Sequence, residues 1–162
     1  MSDPQVLKGK RILVVDDEAD VIEVAKDQLE GSEVVGAETF SQAKKLIEQE
    51  RFDLAILDIM GVNGFELLKI CGERQQPAAM LTARSINVES VNQALKYGAV
   101  SFLPKDELAS LSTMVPEILE GLEQGKSHWG RLFQRLGPLF KEKWGIVWEE
   151  LDKPDHPKIP YT

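Results

Sequence analysis

The chain has almost no cysteine. Cys71 is the only one in 162 residues, so no intrachain disulfide can form, and its place in an apolar helical pattern reads as a small buried hydrophobe. Long apolar runs are missing too. The N-terminus, MSDPQVLKGKR, lacks the hydrophobic stretch a signal peptide needs, and no run approaches transmembrane length. The expectation is a cytoplasmic protein without a membrane partner. Internal repeats and low-complexity segments are absent. So is a basic main body: residues 1–125 carry 12 basic and 22 acidic side chains, a net of −10, which argues against nucleic-acid binding there. The charge reverses in residues 126–143, with five basic and one acidic side chain, and residues 144–162 return to two basic and four acidic.

What remains is an ordinary globular composition, 43% hydrophobic and 28% charged, enough for one core and an appendage. Short apolar runs at residues 11–15, 33–36, 53–58, 77–81 and 100–103 read as strands. Between them, residues 19–30, 41–50, 65–74 and 87–97 read as helices. Val21, Ala25 and Leu29 share one face, as do Ala43, Leu46 and Ile47. Phe65, Leu68 and either Ile70 or Cys71 point inward, and Asn87 caps its helix. A fifth helix carries Leu108, Leu111, Val115, Ile118, Leu119 and Leu122. Pro116 inside it requires a start nearby, capped by Thr113, or a kink. Five strand–helix alternations predict a parallel sheet with helices on both faces.

The stretch LAILDIMGVNG (54–64) is the pivot. Its apolar run reads as a strand buried on both faces and ends on Asp58, where open α/β sheets bind their ligands. On position alone Asp58 reads equally well as a turn or helix cap. The other strand ends decide between these: Asp16 and Asp17 end the first strand, Thr82 follows the fourth, and Lys105 follows the fifth. Singly, each has a plain reading, the acids as a helix N-terminal cluster and the rest as loop or surface residues. Jointly, the topology brings them to one sheet edge. Three carboxylates there repel unless a cation intervenes, and a hard divalent ion such as Mg²⁺ suits oxygen ligands. With a lysine and a hydroxyl alongside, they form a receptor for phosphoryl oxygens, with one carboxylate as nucleophile.

The motifs ILVVDDE (12–18), LAILDIMGVNGFELL (54–68), AMLTA (79–83) and FLPK (102–105) resemble the receiver domain of bacterial two-component response regulators. The resemblance covers about residues 8–124. It implies a flavodoxin-like, doubly wound five-stranded sheet of order 2-1-3-4-5 with five helices. It implies Asp58 as phosphoacceptor, taking a phosphoryl group from a sensor histidine kinase or phosphotransfer protein. It implies Mg²⁺ held by Asp16, Asp17, Asp58 and the backbone carbonyl of Met60. Thr82 would bond the phosphoryl oxygen, Lys105 would pair with it, and Phe102 would follow Thr82 as an aromatic switch. Ala83 is small, as phosphoryl access requires, and Met60 and Arg84 occupy positions that tune the lifetime of the phosphoryl group. The output would be a changed contact with a downstream protein or a second copy, in a stand-alone switch rather than an enzyme, with slow self-hydrolysis of its aspartyl phosphate. The alternative is a phosphorylation-independent scaffold or dimerisation module.

Two departures from the family stand out. The loop between Asp58 and Gly64, IMGVN, is about two residues shorter than usual and lacks Met-Pro. Lys105 is followed by Asp106, where the family has a proline after a cis bond. A cis bond before a non-proline costs about 3 kcal/mol, so the link is either trans or held cis under strain.

After the receiver-like residues 1–124, residues 125–150 form a helical, aromatic and basic extension, with a proline-rich, extended end at 151–162. All three tryptophans, Trp129, Trp144 and Trp148, lie there. With Leu132, Phe133, Leu136, Leu139, Phe140 and Val147 they recur at helical spacing, and Lys126, Arg131, Arg135, Lys141 and Lys143 are interspersed. Gly137-Pro138 is expected to divide this stretch into two helices, with Pro138 opening the second. The aromatics pack on the chain's own body, on a partner or second copy, or on a membrane surface. No helix-turn-helix pattern is present.

Overall fold

The computed structural model describes residues 4–82, 87–126 and 128–151. Ala83, Arg84, the side chain of Trp148 and residues 152–162 lie outside what is described. Strands and helices alternate as β1 (Arg11–Val15), α1 (Ala19–Gln28), β2 (Glu33–Ala37), α2 (Phe40–Gln49), β3 (Leu54–Asp58), α3 (Gly64–Glu73), β4 (Ala78–Thr82), α4 (Val88–Lys96), β5 (Phe102–Pro104), α5 (Leu111–Glu123) and α6 (Trp129–Trp144). The sheet is parallel throughout, in the order β2-β1-β3-β4-β5.

β3 and β4 are buried along their whole length, as expected of strands covered on both faces. The helices turn their apolar stripes to the sheet. Val21, Ile22 and Ala25 of α1 and Val91 and Ala94 of α4 are buried. The Asn87 side chain accepts the Ser90 N–H at 2.8 Å and the Thr39 hydroxyl accepts the Gln42 N–H at 3.1 Å, so two helix starts are capped as such residues cap them. In α3 the inward residues are Leu67, Leu68 and Cys71, whereas Phe65 and Ile70 are only half-buried.

Register places the strand ends together. Val15 pairs with Leu57, Asp58 with Leu81, and Thr82 with Pro104. Asp16, Asp58, Thr82 and Lys105 therefore follow one another across neighbouring strands. The Lys105–Asp106 link is trans, since no cis peptide bond occurs among the described residues. The chain leaves β5 through a 3₁₀ segment, Lys105–Ser110, before α5 begins.

Two expectations about proline fail for one reason. Thr113 does not cap α5: the helix already runs at Leu111 and carries Pro116 inside it. Gly137-Pro138 does not divide the tail either; α6 is one helix from Trp129 to Trp144 with Pro138 inside it. An internal proline costs about 3 kcal/mol or more, but each helix buries a continuous apolar face. In α6 that face is Trp129, Leu132, Phe133, Leu136 and Phe140, each contributing on the order of 1.5–3 kcal/mol on burial. Breaking the helix would take half of that face out of register. Gly137 also eases the helix past Pro138, because it has no Cβ to meet the proline ring.

The tail therefore packs on its own body. A ladder of rings runs from Phe102 to Trp129 at 6.2 Å, on to Phe133 at 6.5 Å and Phe140 at 4.8 Å, and ends at Trp144 at 5.5 Å. The indole N–H of Trp129 donates to the Ala99 carbonyl at 2.7 Å.

Candidate functional site

Asp16 and Asp58 are both buried, at 0% and 2% exposure, at the ends of adjacent strands. Asp16 Oδ1 accepts the Glu18 N–H at 2.9 Å. Asp58 Oδ2 accepts the Gly61 N–H at 3.1 Å. Lys105 Nζ stands among the acids, 2.9 Å from Asp16 Oδ2, 3.0 Å from Glu18 Oε2 and 3.5 Å from Asp58 Oδ1. Asp16 Oδ2 is close enough to Lys105 for an ion pair but off the geometry of a hydrogen bond. It is the one buried side-chain oxygen among the described residues without a hydrogen-bond donor.

The charges are unbalanced. Asp16, Asp17 and Glu18 bring carboxylate oxygens within 4.8 Å of one another, Asp58 lies beside them, and Lys105 is the cation in their midst. Burial pushes the Asp16 and Asp58 carboxyls above their ordinary range. Asp58 adds to the effect on Asp16 and Asp17 adds to that on Asp58, with Lys105 working against both. Burial alone would lower the Lys105 ammonium, but its ion pairs with Asp16 and Glu18 and the charge of Asp58 outweigh that and raise it. The pocket thus has surplus negative charge and hard carboxylate oxygens that one lysine does not neutralise, the donor set of a divalent cation such as Mg²⁺.

The loop after Asp58 closes directly on this pocket. A Cβ at Gly61 would overlap the Asp17 carboxylate and come within 2.6 Å of Asp58 Oδ2, and one at Gly64 would collide with the Asp58 carbonyl oxygen. Gly61 lets the backbone lie where any side chain would displace the acids, and Gly64 lets it pass against the main chain of Asp58. Met60 projects its side chain outward at 81% exposure. Thr82 is buried at the end of β4, and Phe102 is fully buried in β5 against Trp129.

Asp16, Asp17, Asp58 and Lys105 thus meet as the strand-end argument requires, with Thr82 one residue beyond the partner of Asp58. Phe102 has its ring against Trp129 of α6. Sequence reasoning passed over Glu18 and Gly61. Glu18 was visible as the third acid of VVDDE, and Gly61 as the glycine three residues after Asp58.

Comparison with known proteins agrees with this geometry. The model of the response regulator receiver domain matches residues 12–115. The chain belongs to the response regulator receiver family. It is 36% identical over 100 residues to the transcriptional regulatory protein CpxR of Escherichia coli (strain K12), covering 59% of this chain and 42% of that protein. It is 36% identical over 102 residues to the response regulator GtcR of Aneurinibacillus migulanus, covering 60% of this chain and 42% of that protein. The chain thus spans less than half the length of these curated relatives. Among solved structures, a CheY-like receiver domain protein from Methanospirillum hungatei JF-1 superposes with a TM-score of 0.66 at 30% identity, over 73% of this chain and 99% of that one. A response regulator from Thermotoga maritima shares the fold, with a TM-score of 0.63 at 24% identity, over 69% of this chain and 98% of that one. Among the described residues no helix is long and apolar enough to cross a membrane.

Proposed function

We propose that Asp58 accepts a phosphoryl group from the phosphohistidine of a sensor histidine kinase or phosphotransfer protein, and that the aspartyl phosphate switches contacts with other proteins. One observation carries the reading: Asp58 is buried at a strand end with Lys105 Nζ 3.5 Å from Oδ1. An oxygen of the Asp58 carboxylate attacks phosphorus, the P–N bond to the imidazole breaks, and its electron pair returns to the ring nitrogen, which takes up a proton. Such a transfer asks for positioning and charge neutralisation more than for acid–base groups.

Lys105 follows the new charge, leaving Asp16 and Glu18 for the phosphoryl oxygens. Thr82, at the end of the strand next to Asp58, supplies a hydroxyl donor. Gly61 holds the carboxylate through its N–H. Asp16, Asp17, Asp58 and the backbone carbonyl of Met60 are the groups that would hold Mg²⁺, with Glu18 beside them. When bound, the ion neutralises the phosphoryl oxygens. Attack of water on the phosphorus returns the free carboxylate and inorganic phosphate. The protein is thus a switch with slow self-hydrolysis rather than a catalyst for a separate substrate.

The scaffold reading is less well supported, because α6 turns its aromatic face inward rather than toward a partner. The test is intact mass after incubation with Mg²⁺ and a small acyl-phosphate donor, with Asp58→Asn as control. One phosphoryl adduct on the wild type and none on the variant is the expected result. An unmodified wild type that binds Mg²⁺ and is folded would contradict the proposal.

A further inference from the structure

The ties of α6 to the body converge on one short segment, the one that ends in Lys105. The Trp129 indole donates to the Ala99 carbonyl at 2.7 Å. His128 Nδ1 lies 2.7 Å from the Ser101 hydroxyl. The Trp129 ring packs 6.2 Å from Phe102. At the other end of the helix, Lys143 Nζ reaches Asp106 Oδ2 at 2.6 Å. Residues 99–106 thus hold both ends of α6, and Lys105 within them reaches into the acidic pocket.

The remaining anchor is polar and buried. Glu117 of α5 faces His128 Nε2 at 3.2 Å and also accepts from Arg135. Glu117 and His128 are each 3% exposed, and Ser101 is fully buried. With a neutral imidazole the chain is consistent in one direction: the Ser101 hydroxyl donates to Nδ1, and Nε2–H donates to the Glu117 carboxylate. Such anchors carry less of the seating than the apolar face does, because each group regains water when the surfaces part. Together with the apolar ladder they make a cover that is seated but not permanently fixed.

β5 is the weak member of the sheet. It has three residues, lies at the edge and pairs only with β4. A phosphoryl group on Asp58 would replace a monoanion by a group with about two negative charges, drawing Lys105 away from Asp16 and Glu18. The pull is transmitted through Pro104 to Phe102 on one side and to Asp106 on the other, two of the residues on which α6 is seated.

We propose that α6 is a phosphorylation-released cover: it is docked on β5 and α5 while Asp58 is free, and undocks when the Lys105 segment shifts. The proposal rests on Asp58 being the phosphoacceptor and adds what the switch moves. The undocked state exposes Phe102, the Ser101–Glu117 polar edge and the aromatic face of α6 together. By reciprocity, whatever loosens α6 also favours phosphorylation.

The test is hydrogen–deuterium exchange on the full chain with and without Mg²⁺ and an acyl-phosphate donor, with intact mass read on the same samples. At least tenfold faster exchange in peptides spanning residues 128–146, with β1 and β3 unchanged, is expected in the phosphorylated protein. A phosphoryl adduct with unchanged exchange in those peptides overturns the cover proposal and leaves Asp58 as acceptor. No adduct overturns both. Arg135→Ala tests the reciprocal arm at a partly exposed position, with circular dichroism confirming that the variant is folded. It should raise α6 exchange several-fold without donor and raise the phosphorylated fraction at a fixed donor concentration. Faster exchange in that variant with no gain in phosphorylation contradicts the coupling.

Discussion

His128 and Glu117 face each other across 3.2 Å inside the protein, one at the start of the tail helix and the other in the middle of α5. Burial lowers the His128 imidazole below its ordinary value of 6.5, despite the pull of Glu117. Burial alone would raise the Glu117 carboxyl, but the bonds from Arg135 and His128 carry it below 4.5. Both shifts have the same consequence in acid. Below pH 6.5 the unfolded chain takes up a proton at His128 that the folded chain refuses. Stability therefore falls as pH drops from that value toward the folded one, and falls again as pH passes below 4.5 and Glu117 is protonated. Urea midpoints measured at pH 7.5 and 5.5 should differ in the wild type. In His128→Asn that difference should shrink.

Trp129 is expected to dominate the seating of α6. Trp129→Ala removes a ring contact with Phe102, another with Phe133 and the donor to Ala99. A loss of about 3–5 kcal/mol is expected in urea denaturation. Trp129→Phe keeps most of the packing but strands the Ala99 carbonyl, and should lose about 1–3 kcal/mol.

Asp58→Asn should stabilise the protein at neutral pH when no metal is added. The carboxyl is buried and its ionised form is disfavoured, chiefly by burial, so a neutral isostere relieves the repulsion with Asp16 and Asp17. The melting temperature should rise by roughly 2–4 °C for each kcal/mol gained. Added Mg²⁺ should narrow the gap by stabilising the wild type more. A variant that melts below the wild type in metal-free buffer would contradict this electrostatic account.

Gly61→Ala should leave the fold intact and damage the pocket. Its added methyl overlaps the Asp17 carboxylate and crowds Asp58, so the loop must retreat and the N–H bond to Asp58 must lengthen. Mg²⁺ titration should show affinity weakened at least tenfold, or about 1.4 kcal/mol, with circular dichroism unchanged.

Cys71 is fully buried and its thiol is pushed up to about 12 by burial. A thiol reagent at pH 8 should therefore modify it only in denaturant. Rapid modification of the native protein would contradict its packing inside α3.

Much of this molecule is legible in its sequence because its central strands β1, β3 and β4 are buried along nearly their whole length and stand out as apolar runs. Once their order is known, register alone carries Asp16, Asp58, Thr82 and Lys105 to one edge. What the sequence hid was governed by tertiary packing. Pro116 and Pro138 look like helix breaks, and they would be in isolated helices. The apolar faces on either side of each hold the helix together. Gly61 looked like loop composition because the two carboxylates it accommodates come from different strands. The Ser101–His128–Glu117–Arg135 chain had no signature at all, since its members lie far apart in the sequence and meet only in the fold.

The most direct measurement of the central claim is chemical mapping of the phosphoryl group. Borohydride reduces an aspartyl phosphate to homoserine, so peptide mass spectrometry after reduction identifies which acid carried it. The account predicts homoserine at position 58 alone, dependent on donor and Mg²⁺. Homoserine at Asp16 or Asp17, or none in a protein shown by intact mass to be phosphorylated, would mean that Asp58 is not the acceptor.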